Sequence, residues 1–365
     1  MSCGFHAHPG FKIVGAVDGE FGKPSNGRGT LECNSTYEAN MGVRPLVKDL
    51  AVIPPSELPA LFQEQLGKRP LSVLIACPPC TGFSRALPKN HLVDDPRNSL
   101  VIESALFVEA LKPRIFVMEN ARELIRGNFS HHFENLKRSL ERLGYRVHGD
   151  VHILSKFGLP QKRERSIVVA VAKGLQLRTL DDLWAGYRVK AEATHVRRAL
   201  SGLETLVAGR ASTTDPLHAS PGFSDPSSLR RLELLPNDGG SWADLRLHPE
   251  ALHVLTPAML RNIEAGDFGS HPDVYGRLWW DRPAITIKRE CSHIGNGRYS
   301  HPEQNRLCSV REMSILQGFP RDYVFRGSLS NMYRHIGDAV PPLISYQLGD
   351  CDGRSSDLLR RFGFQ

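Results

Sequence analysis

A thiol, a carboxylate and two guanidinium groups are the side chains with the most to offer chemically in this sequence. Cys80 closes the stretch Leu71-Ser72-Val73-Leu74-Ile75-Ala76-Cys77-Pro78-Pro79-Cys80. A thiolate on such a loop is a candidate nucleophile where cations and an acid-base group support it. Two plainer readings stand beside that one. A free cysteine also serves as a small buried hydrophobe, and a C-x-x-C pair can hold zinc or work in redox exchange. Zinc needs further ligands, and no second close Cys or His pair accompanies Cys77 and Cys80. Pro78-Pro79 also lacks the helix start that lowers a thiol's pKa, so no metal is expected here. Glu119 follows the apolar run Arg114-Ile115-Phe116-Val117-Met118, and Arg163 and Arg165 lie in Gln161-Lys162-Arg163-Glu164-Arg165.

The elements that must position these groups read as an α/β fold. Leu71 to Ala76 has the apolar run of a buried central strand in a parallel sheet. Two prolines then stop the ladder, which carries Cys80 to the strand's C-terminal end, the rim where open α/β sheets place their chemistry. Phe11 to Asp18 reads as another strand ending in a carboxylate, and Val47-Lys48-Asp49-Leu50 places a second one. Either aspartate can be a plain turn residue. Helical patterns are expected over Met1 to His8, Thr36 to Asn40, Asp95 to Val108 and Leu124 to Gly144, with a strand over Tyr145 to Ile153. Ser166 to Ala172 continues from Arg165, and alternation puts Arg163 and Arg165 on one face of that strand.

A chain of 365 residues is long enough for two domains. Its net charge of +7 suits a polyanionic partner without requiring one. Seven irregularly spaced cysteines do not make a disulfide framework and fit a reducing compartment. Neither an apolar run of membrane-spanning length nor a signal-peptide pattern occurs, so a cytoplasmic protein is expected, in a bacterial cell or a phage-infected host.

Two further blocks complete a series: Arg311-Glu312 with Leu316-Gln317-Gly318-Phe319-Pro320, and Ile336-Gly337-Asp338-Ala339-Val340-Pro341-Pro342. In this order, the Pro-Pro-Cys, Glu-Asn, Gln-x-Arg-x-Arg and two C-terminal blocks resemble the DNA (cytosine-5)-methyltransferase family from about Gly10 to Leu348. The resemblance implies a Rossmann-like, S-adenosylmethionine-dependent methyltransferase sheet with a smaller target-recognition domain. It places the catalytic domain at 1–175, completed by 326–365, and target recognition at 176–325. It implies Cys80 as nucleophile, with Glu119, Arg163 and Arg165 as its catalytic partners. S-adenosylmethionine would be held by Asp18, Asp49, Leu50, Pro79, Leu100, Asp338 and Val340, and DNA contacted by Ser84, Gln161, Arg311 and Gln317. The implied substrate is double-stranded DNA, with a cognate restriction endonuclease as a candidate partner and a monomeric state.

One departure stands out: the family's opening strand and its Phe-x-Gly-x-Gly-Gly turn are not present before Met1. Either the start codon was assigned inside the gene, or the chain is truncated and impaired in cofactor binding. Besides an active methyltransferase, a cofactor-deficient DNA-binding relative without turnover therefore remains an alternative. A transfer-RNA methyltransferase is a weaker one, since the Cys-Phe-Thr tripeptide of that branch is absent. Between Lys173 and Asp281 the family pattern stops. Ala211 to Ser228 is expected to be a long mobile loop, flanked by basic residues and tryptophans that suit phosphate and base contacts.

Overall fold

The computed structural model describes residues 1–20, 32–80, 83, 94–177, 179, 181, 185–266 and 273–350. Among them a four-stranded sheet forms, β1 (Val73–Ala76), β2 (Ile115–Ala121), β3 (Tyr145–Ile153) and β4 (Glu164–Ala172), in the order β1-β2-β4-β3. β1 and β2 are parallel, with Ile75 opposite Val117, which requires a crossover. The helix Ser99–Leu111 supplies it. β4 runs antiparallel to both β2 and β3, so the sheet is mixed.

Two strand expectations change. The stretch ending at Cys80 forms the edge of the described sheet, and β1 is only half-buried. Phe11 to Asp18 makes a single parallel bridge, Val17 to Leu46, instead of a strand. The Asp18 N–H donates to the Leu46 carbonyl at 3.0 Å and the Leu46 N–H to Ala16 at 2.9 Å.

Alternation along β4 divides the core. Ile167, Val169 and Val171 face one apolar cluster, and Val168 and Ala170 face another. The second cluster is closed by Val101, Ala105 and Val108 of the helix Ser99–Leu111 and by Phe133, Leu136 and Leu140 of the helix His131–Arg142. Each buried valine, leucine or phenylalanine side chain here contributes roughly 1.5–3 kcal/mol. The expected single helix over Leu124 to Gly144 is in fact two, Glu123–Arg126 and His131–Arg142. Gly127 breaks it: its backbone is extended (φ −108°, ψ 178°), and a Cβ there would lie 2.3 Å from the Glu123 carbonyl oxygen.

The larger cluster runs from Leu154 to Tyr346 and crosses both expected domain boundaries. Its centre includes the helix Val310–Leu316, buried along its whole length. Ala211 to Asp225 is a closed loop, not a loose one, and Pro226 to Ser228 already belong to the helix Pro226–Leu234. Ala211 bridges Ala219, His218 Nδ1 lies 2.8 Å from Ser309 Oγ, and Asp215 pairs with Arg311. The N-terminal helix Ser2–Ala7 packs on the helix Pro342–Gly349, which joins the two ends of the described chain.

Candidate active site

Cys80 is half-buried just past the end of β1, against the second core cluster. Asn120, at the end of β2, fixes its loop: the Asn120 amide donates to the Pro78 carbonyl at 3.2 Å. The preceding residue, Glu119, is 7% exposed. Glu119 stands opposite Ile167 in the ladder, so Arg165, two residues earlier on β4, is its diagonal neighbour on the same face. Arg165 Nε lies 2.9 Å from Glu119 Oε1. Glu164, pointing the other way, pairs instead with Arg122 at 2.7 Å. Arg163, one residue before β4, is 4% exposed and donates to the carbonyls of Ile287 (3.1 Å) and Ala339 (3.4 Å).

Electrostatics join these groups into one site. Burial raises the Cys80 thiol above its ordinary pKa; Arg165 and then Arg163 lower it, while Glu119 and Asp338 push it up. Arg163 itself is lowered to about 9, by burial first and by neighbouring Arg165 second. Two buried polar atoms here lack a hydrogen-bond partner among the described residues, Glu119 Oε1 and Arg163 Nε. Although Arg165 approaches Glu119 Oε1 closely, its N–H is not aimed along a hydrogen bond. A buried polar atom left without any partner costs about 1–3 kcal/mol, which bears on Arg163 Nε, whereas Glu119 Oε1 keeps its ion pair with Arg165.

The residues expected to hold a cofactor lie on exposed or half-exposed surface, with Val340 as the exception. Asp18 and Asp49 are exposed; each uses Oδ1 to accept a backbone N–H of its own turn, from Glu20 at 2.7 Å and Ala51 at 2.9 Å. Leu50 is 37% exposed beside Val47 and Val52, which are more so. Pro79 is exposed and Leu100 half-buried. Asp338 is exposed and pairs with Arg289 at 3.1 Å, whereas Val340 is buried. Asp338 raises the thiols of both Cys80 and Cys33, and Cys33 Sγ sits 4.0 Å from Asp18 Oδ1. Asp338 therefore faces both Cys80 and the Asp18 side. Gly337 lets the helix Leu329–Asp338 approach this closely, since a Cβ there would meet the Lys288 carbonyl oxygen at 2.3 Å.

The expected DNA contacts need correction. Gln161 and Gln317 are both 0% exposed. Gln161 Nε2 donates to Gln317 Oε1 at 2.6 Å, Gln161 Oε1 accepts from Ile287 N–H at 3.0 Å, and Gln317 Nε2 donates to Ala339 at 2.6 Å. They form an interior amide pair that joins three segments, with no edge left for a base. Arg311 is 9% exposed and committed to Asp215, at 3.1 Å through Nη2. Ser84 lies outside the described residues. Of the basic residues in the middle interval, Arg231 is buried and donates to the Val254 carbonyl, and Arg197 is paired with Asp281 at 2.8 Å. Asn120 is the supporting residue that sequence reasoning passed over, although its place beside Glu119 at a strand end was the available signal.

Residues 10–350 match the family model of C-5 cytosine-specific DNA methylases. The chain is 33% identical over 337 residues to the Type II methylase M.HgiDII of Herpetosiphon aurantiacus, covering 91% of this chain and 86% of that one. It is 28% identical to the Type II methyltransferase M1.HphI of Haemophilus parahaemolyticus, covering 86% and 76% respectively. Among solved structures, a candidate DNA modification methyltransferase encoded in an E. coli prophage superposes with a TM-score of 0.63, at 18% identity over 95% of this chain and 93% of that one. S. pombe Dnmt2 superposes with a TM-score of 0.56, at 15% identity and the same coverage. At those identities the likeness concerns the fold. The family match covers nearly the whole described chain and includes every block that meets at Cys80, so the protein belongs to the C-5 cytosine-specific DNA methylases and is of the DNA cytosine-5-methyltransferase class.

Proposed function

We propose that the chain transfers a methyl group from S-adenosylmethionine to C5 of a cytosine within a specific double-stranded DNA sequence, through a transient bond from Cys80 to the ring. The observation that carries this reading is the grouping of the Cys80 thiol with the Arg165–Glu119 ion pair and with buried Arg163, whose Nε has no hydrogen-bond partner among the described residues. Cytosine C5 is a weak nucleophile. Attack by the Cys80 thiolate at C6 leaves carbanion character at C5 and splits one hard step into two. The negative charge that develops on the ring needs a proton or a proton-sharing group at N3, which Glu119 is placed to supply. Arg163 and Arg165 offset charge near O2 and the sulfur. A base then removes the C5 proton and Cys80 leaves.

The surface residues fit an adenosyl group. Asp18 and Asp49 each keep Oδ2 as an acceptor among the described contacts, and Val47, Leu50 and Val52 offer exposed apolar surface beside Asp49. When bound, S-adenosylmethionine supplies an electrophilic methyl group. The ring can be reached only outside the stacked duplex, at a cost of a few kcal/mol, so the target base swings out to Cys80. Residues 176–325 are assigned to target recognition, with cationic contacts for affinity and groove contacts for sequence choice.

Incubation with labelled S-adenosylmethionine and duplex DNA should place label in DNA, and Cys80→Ser should abolish incorporation while leaving DNA binding nearly unchanged. A Cys80→Ser protein with near-normal turnover would remove the nucleophile. DNA binding with no label incorporated by the native chain would favour a relative without turnover.

A further inference from the structure

A second cluster of ligating side chains lies close to Cys80, outside the machinery just described. His131 and His132 open the helix His131–Arg142, and Asp94 approaches them from the segment that leads into the helix Ser99–Leu111. One ligand atom from each lies within 4.8 Å of the other two. His132 Nε2 is 2.9 Å and His131 Nε2 is 3.4 Å from the same oxygen, Asp94 Oδ2. A tetrahedral ion about 2.0–2.1 Å from each ligand sets ligand atoms about 3.3 Å apart. The two Asp94 distances bracket that edge.

Hydrogen bonding and metal binding differ here in where the ring protons sit. As neutral Nε2–H tautomers both rings can donate to the carboxylate; with a cation among the three groups the protons sit on Nδ1 and both Nε2 lone pairs turn toward the ion. The carboxylate is already oriented from behind: Asn98, fully buried, donates from Nδ2 to Asp94 Oδ1 at 2.7 Å. Second-shell bonds of this kind position metal ligands.

We propose that Asp94, His131 and His132 form a binding site for a divalent transition-metal ion of the zinc type, with water completing the coordination. The ion would fasten the start of the helix Ser99–Leu111 to the helix His131–Arg142. It would also brace the nucleophile's surroundings, because Phe83 packs edge-on against the His132 ring at 5.7 Å while its N–H donates to the Cys80 carbonyl at 3.1 Å.

Cobalt(II) titration of the full chain separates this site from Cys77 and Cys80, whose thiolates give an intense sulfur-to-metal charge-transfer band. The expected result is one equivalent with weak ligand-field bands and no thiolate band, lost in the His131→Ala/His132→Ala double variant. Zinc competition against a chromophoric chelator should show affinity falling at least ~10-fold in Asp94→Ala, and about tenfold in Asn98→Ala through the second shell. Cobalt bound only with the thiolate band, a spectrum unchanged in the double variant, or no binding at all would each overturn the proposal. The native spectrum decides the matter even if a variant fails to fold.

Discussion

At the scale of single residues, the site turns on how a half-buried thiol is brought to react. Burial holds Cys80 in its neutral form, and the strongest opposing influence is Arg165, itself steered by Glu119 at 2.9 Å. A thiol held above its ordinary range is mostly protonated at neutral pH. Its reactive fraction then rises about tenfold per pH unit until it titrates. Alkylation of Cys80 by iodoacetamide, followed peptide by peptide so that exposed Cys77 is counted separately, should therefore climb steadily through pH 7–9. Arg165→Met should move that rise to higher pH, because it removes a cation that favours the thiolate. Glu119→Gln should move it lower, because it removes an anion that opposes it. An Arg165→Met profile that superposes on the native one would mean the guanidinium does not tune the sulfur.

At the scale of elements, the helix Val310–Leu316 shows how the middle of the chain is held. Ser309 and Glu312 form a reciprocal capping box, and Glu312, 1% exposed, takes a bidentate pair from fully buried Arg306 at 2.7 and 2.8 Å. Breaking one side of such a pair leaves an uncompensated buried charge, whereas replacing both is nearly neutral. Arg306→Met should lower unfolding stability by roughly 3–5 kcal/mol in urea titration, and Arg306→Met combined with Glu312→Gln should recover most of it. Equal losses in both proteins would place the stabilisation in packing instead. The same elements show what sequence could reveal. The nearness of Arg165 to Glu119 follows from strand alternation, whose period of two puts diagonal neighbours of the paired strands on one face. The roles of Gln161 and Gln317 were not legible, because an amide that reads a base and an amide that pairs in the interior have the same donors and acceptors. Only their separation in space, across 156 residues, decides which. His131-His132 was passed over for a related reason, since its third ligand is 37 residues away. The break at Gly127 was hidden by apolar spacing that continues on both sides of it.

At the scale of the whole molecule, the larger core cluster makes one packing unit of segments from Leu154 to Tyr346, so a charge admitted anywhere inside it is felt as global stability. His301 is the group best placed to do this. It is 4% exposed, and its Nδ1 accepts the N–H groups of Glu303 at 3.1 Å and Gln304 at 3.0 Å, a role open only to the unprotonated ring. Burial is the main cause of its lowered pKa, about 4, with Arg306 and Arg277 adding to it against the pull of Glu312. The unfolded chain, with an ordinary value of 6.5, takes up a proton that the folded protein refuses between those limits. Stability contributed by neutral His301 is thus present above about pH 6.5 and is lost as pH falls toward 4, by up to about 3 kcal/mol. His152, lowered by burial in the same sense, steepens the decline. His301→Asn keeps an acceptor for the two N–H groups but cannot take up the proton. It should flatten the decline in urea-derived stability between pH 6.5 and 4, even if its stability at pH 7.5 is lower. A slope as steep as the native one would assign the acid sensitivity to other groups and leave His301 as packing alone.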